Sequence, residues 1–90
     1  MTWTWRVNNR MHWTHLGDCC DKKKLIQINM RAHRNCRCPV LQTCLHEDFH
    51  RVFPKKREWE IEELTEDAFN LLTPKNRRLL MARYRRKLGI

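Results

Sequence analysis

Residues 39–54 read Pro39-Val40-Leu41-Gln42-Thr43-Cys44-Leu45-His46-Glu47-Asp48-Phe49-His50-Arg51-Val52-Phe53-Pro54. The two prolines bracket one helix. Pro39 suits a first helical turn, where its missing N–H is no loss, and Pro54 stops the run. Between them Val40, Leu41, Cys44, Leu45, Phe49, Val52 and Phe53 recur at helical spacing and form an apolar stripe. His46 and His50 are one turn apart, so both imidazoles leave from one face, at the edge of that stripe. Phe49 anchors the helix to a core. Asp48 falls well round the helix from His46 and is expected to face solvent.

The pattern H-E-x-x-H at 46–50 carries chemistry. Two imidazoles so placed can share one zinc ion, and Glu47 stands beside them, where it can take a proton from water. The plainer alternative is two solvated histidines on a surface helix, in a chain with five histidines among 90 residues. A catalytic zinc needs a third protein ligand and one open position. The acid-rich start of the next helical segment offers Glu58, Glu60, Glu62 and Glu63. At about 100° per residue, Glu58 and Glu60 flank the Ile61/Leu64 stripe, while Glu62 and Glu63 lie further round. These carboxylates also read as favourable charges at a helix N-terminus.

Before the motif, the chain reads as strands. Thr2 to Val7 alternates strictly, with Trp3, Trp5 and Val7 on one face. Asn8-Asn9 is a turn signal. Met11 to Leu16, with Trp13, is a weaker second strand, and Gly17-Asp18 marks the break after it. Lys24 to Met30 is a third strand, with Ile26, Ile28 and Met30 on one side. Short connections suggest a small antiparallel sheet or meander. Arg31 to Cys38 has no clear period and is expected to be a loop, with His33 exposed in it.

After the motif, the chain reads as helices. Glu58 to Leu72 buries Ile61, Leu64, Ala68, Leu71 and Leu72. Thr73 caps a last helix that Pro74 opens. In that helix Leu80, Tyr84 and Leu88 pack, and Lys75 to Lys87 carries seven basic residues. The expected fold class is α+β: about three strands, an H-E-x-x-H helix, an acidic helix and a basic C-terminal helix. Residues 1–90 form a single domain, with 74–90 as an appended basic helix.

Composition narrows the setting. No apolar run approaches a membrane span and no signal peptide is visible, so no membrane partner is expected and the default location is the cytoplasm. Five cysteines, Cys19, Cys20, Cys36, Cys38 and Cys44, are an odd number for a disulfide framework, and none has the C-x2-C spacing of common zinc ribbons. They read as reduced thiols, with a second zinc site at Cys36/Cys38 as an alternative. Net charge is +9, which favours polyanions or acidic partners. The basic C-terminal helix would track phosphates of nucleic acid without sequence specificity.

Taken in order, Trp5-Arg6-Val7, Leu16-Gly17-Asp18-Cys19, Ile26-Gln27-Ile28 and Leu45-His46-Glu47-Asp48-Phe49-His50-Arg51-Val52-Phe53-Pro54 resemble the zincin metallopeptidases in miniature. The likeness is to the short, mostly phage-encoded zinc peptidases, over about residues 3–72. It departs at Asp48, usually apolar or small, at Arg57, where a capping Ser is common, and in the basic tail. The resemblance implies a zinc-dependent peptidase in a host cytoplasm. His46 and His50 would be metal ligands and Glu47 the general base. Glu58 would be the third ligand, ahead of Glu60 and then Glu62. The strand Lys24 to Met30, expected at an edge, would align an extended peptide substrate. His33 is a weak candidate for the oxyanion partner. The competing expectation is a non-catalytic basic nucleic-acid-binding protein, with or without a structural zinc.

Overall fold

The computed structural model describes residues 2–34 and 37–90. It is an α+β fold. Strands β1 (Thr4–Val7), β2 (Gly17–Cys20) and β3 (Leu25–Ile28) precede helices α1 (Met30–His33), α2 (Val40–Val52), α3 (Glu58–Leu71) and α4 (Pro74–Leu88). Cys36, half of the alternative cysteine site, lies outside the described residues.

The sheet is mixed, not an antiparallel meander. Its order is β1-β3-β2, with β1 parallel and β2 antiparallel to β3. The strand expected at an edge is therefore the central one. The segment 8–16 crosses the sheet end between the two edge strands. It is a loop, not the expected strand, and Trp13 is 76% exposed within it. Asn29 explains why a loop suffices. Buried just beyond β3, its amide donates to the carbonyls of Met11, His12 and His15 at 3.0–3.3 Å. Its side-chain oxygen caps α1 by accepting from the Ala32 N–H. One side chain thus satisfies loop carbonyls that would otherwise need a strand partner. The same residue turns the expected loop after β3 into the short helix α1.

Alternation in β1 and β3 puts Trp5, Ile26 and Ile28 on a common face. Leu41, Cys44 and Leu45 of α2, with Tyr84 and Leu88 of α4, complete the core. The Tyr84 ring lies 5.2 Å from Trp5, so α4 belongs to the packing of β1. Pro39 sits one position earlier than expected, as the N-cap of α2. Thr73 caps α4 as its sequence suggests, its hydroxyl accepting from the Asn76 N–H. At α3, Arg57 offers no side-chain acceptor, but Glu60 accepts from the Arg57 backbone N–H and supplies half of a capping box. No described helix is long and apolar enough to cross a membrane.

Asp48 does not face solvent. It is half-buried, accepts the Tyr84 hydroxyl at 2.8 Å and pairs with Arg51 at 2.7 Å. Burial and the nearby Asp48 carboxylate push the Tyr84 phenol well above its usual range, so it remains a donor. Asp48→Ala would strand that buried hydroxyl, and a loss of about 1–3 kcal/mol is expected. Tyr84→Phe leaves Asp48 paired with Arg51, and a smaller loss of about 0.5–1.5 kcal/mol is expected. Thermal melts would rank the two variants. An Asp48→Ala protein as stable as the parent would show that the contact contributes nothing.

Candidate metal centre

The motif helix ends close to the start of α3, because only residues 53–57 separate the two elements. This short connection brings Glu58, the first residue of α3, back over the last turn of α2. Its Oε1 lies 2.7 Å from His46 Nε2, and its Oε2 lies 2.8 Å from His50 Nε2. The two Nε2 atoms are 3.2 Å apart, with the rings nearly perpendicular and their centroids 4.8 Å apart. His46, His50 and Glu58 are the described group of His, Cys, Asp or Glu side chains close enough to hold a metal ion together.

The other carboxylates go elsewhere. Glu60 caps its own helix and pairs with Lys56 at 3.6 Å. Glu62 borders the cleft but is not part of the ligand group, and Glu63 lies beside Trp59 on another face. Glu58 is favoured by its place at the helix start, which the short connection swings toward the histidines.

The donor set fits a zinc ion. A tetrahedral ion with bonds of about 2.1 Å sets its ligand atoms about 3.4 Å apart, wider than the 2.7, 2.8 and 3.2 Å separations here by about 0.2 to 0.7 Å, which small side-chain rotations can supply. Two imidazole nitrogens and a carboxylate crowded on one point repel unless a proton or a cation lies between them. Two His and one Glu are also a familiar catalytic zinc set, which leaves a position open.

Glu47 is not part of that group. It is 7% exposed and borders a cleft of about 500 Å³ together with His46 and Glu58. Burial, the Asp18 charge and the Glu58 charge push its carboxyl up to about 8. The opposite wall is β2. A Cβ at Gly17 would lie 2.9 Å from Glu47 Oε2 and 2.9 Å from Thr43 Cγ2. Only glycine lets the strand come this close to the motif helix. The residue read as a break before the third strand is thus the first residue of β2 and a wall of the cleft.

His33 is neither exposed nor in a loop. It is 9% exposed, in α1, with Nδ1 3.0 Å from the Cys38 carbonyl oxygen. His15 is the histidine of the preceding segments that borders the cleft. It reaches there because Asn29 holds its carbonyl and fixes the crossing loop. No local sequence signal marks His15, since its position depends on a side chain 14 residues further on.

Cys44 is buried in the core, and its thiol is pushed up to about 12 by burial. Cys19 is likewise pushed up to about 12, by burial and the neighbouring Glu47. Neither is a thiolate poised for metal binding or catalysis. Comparison with known proteins finds no matching family, curated protein or solved structure.

Proposed function

We propose that this chain is a zinc-dependent hydrolase of peptides, a minimal zincin-like enzyme acting in the cytoplasm. The observation that carries the reading is the convergence of His46 Nε2, His50 Nε2 and the Glu58 carboxylate on one point. Glu47 beside that point adds to it. Zinc held by His46, His50 and Glu58 supplies Lewis acidity to a scissile carbonyl and lowers the pKa of water.

The remaining work falls to the chain itself. Glu47 accepts the proton of the attacking water and passes it to the leaving amine. An extended peptide pairs with β2, an edge strand whose Gly17 lines the cleft. Asp18, Glu58, Glu62 and Glu66 around the cleft favour substrates without acidic residues next to the cleaved bond.

The test is metal analysis of untagged protein together with proteolysis of a peptide library. About one zinc per chain is expected, with cleavage that a chelator stops and added zinc restores. Protein that neither carries nor takes up zinc would reject the reading. It would favour the second one, a non-catalytic nucleic-acid-binding protein, whose support is the exposed Arg78, Arg83, Arg85 and Arg86 along α4.

A further inference from the structure

A second cavity lies at the other end of α2, away from the histidines. It is an open groove of about 570 Å³ between α4, the end of α3 and the first turn of α2. Its floor is apolar: Met30, Val40, Leu41, Phe69, Met81 and Ile90. Its rim is basic, formed by Arg77, Arg78 and Arg85, and among the described residues no Asp or Glu side chain lines it. Arg77, Met81 and Arg85 follow at intervals of four on α4, so charge and apolar surface alternate along one helix face.

Two further observations concern the donors beside the floor. The Arg77 guanidinium stacks 4.0 Å over Phe69 and donates through Nη2 to the Phe69 carbonyl at 2.9 Å. Its Nε is buried and has no partner among the described residues. Beside it, the first turn of α2 has neither an acidic residue nor a side-chain cap, and its Gln42 and Thr43 N–H groups donate to the Pro39 carbonyl.

We propose that this groove docks an acidic peptide segment of a partner protein, with a bulky apolar side chain on the floor and flanking carboxylates on the arginine rim. The volume is that of a ligand-sized site. Guanidinium groups match carboxylates in bidentate geometry, and the charge of the rim is complementary. The floor decides between partners. A nucleic-acid backbone would satisfy the arginines but would bring no apolar side chain to cover six apolar residues. The site does not depend on the metal centre.

The probe is a fluorescein-labelled peptide of glutamates interrupted by leucine and phenylalanine, with binding followed by anisotropy. Arg78→Glu/Arg85→Glu should weaken binding about tenfold or more. Arg83→Glu/Arg86→Glu makes the same change in net charge on the same helix outside the groove, and should weaken it by less than about threefold. Ile90→Asp should also weaken binding, and a probe with serine in place of leucine and phenylalanine should not bind. All these substitutions are at exposed positions, so melting curves should be unchanged, and Arg77 is left intact. Equal weakening by the two double variants would overturn the proposal. So would equal binding of the serine probe, or no binding of the original one. Displacement of the peptide by an unlabelled single-stranded oligonucleotide would overturn it in favour of a polyanion site.

Discussion

His46→Ala and His50→Ala, made singly, are each expected to release zinc, lowering affinity by more than about 100-fold. Loss of an outer hydrogen-bond partner alone commonly costs 10–100-fold, and a ligand should cost more. Both imidazoles are needed because their Nε2 atoms and Glu58 meet at one point. Glu58→Ala should behave like the histidine variants. Glu60→Ala should keep the metal and lose only some stability, since its carboxylate caps α3. Equilibrium dialysis against a zinc indicator measures all four. A zinc held by cysteines would give the opposite pattern: the histidine variants would retain it and a Cys36/Cys38 double substitution would release it. A second carboxylate taking the place of Glu58 would appear as metal loss in Glu62→Ala.

Glu47→Gln is expected to keep zinc and to reduce hydrolysis by about 10²–10⁴-fold, the usual contribution of general acid–base catalysis. Glutamine retains the shape of the side chain but cannot take a proton from water. The same substitution should raise the stability of the chelated protein. The Glu47 carboxyl is pushed up to about 8 by burial, from an ordinary 4.5. A carboxyl whose folded-state pKa lies above its unfolded value loses stability as pH rises through the unfolded value, and the loss is complete above the folded one. Glutamine carries no such penalty. The gain should therefore be absent near pH 4 and reach on the order of 4–5 kcal/mol above pH 8. Activity lost and stability gained in one variant would separate a base from a structural residue. Equal cleavage by parent and variant would remove Glu47 from the proposed chemistry.

The elements that could be read from sequence are those whose signal is local. The Pro39 to Pro54 bracket and its apolar stripe give α2, and strict alternation gives β1. Thr73-Pro74 gives the start of α4. Glu58 was reachable because a short connection leaves the first residue of α3 little freedom. β2 was not legible. Gly17-Asp18-Cys19-Cys20 carries no alternating apolar pattern, and it becomes a strand through pairing with Leu25–Ile28. Strand order was hidden for a related reason. Asn29 makes the crossing loop workable by bonding carbonyls 14–18 residues earlier, and no window of local pattern contains that. The burial of Asp48 depends on Tyr84, 36 residues away.

Gly17 bears on how other chains of this build can be found. The five-residue motif is short enough to arise by chance in any histidine-rich sequence. The packing of β2 on α2 adds a condition far from the motif, because any side chain at position 17 would occupy the space of the Glu47 carboxylate. Glu58 adds another on the other side. A usable search pattern is thus a glycine 29 positions before the first histidine and a glutamate eight after the second. Matches lacking the glycine would need a different strand to form that wall, whatever their histidines look like.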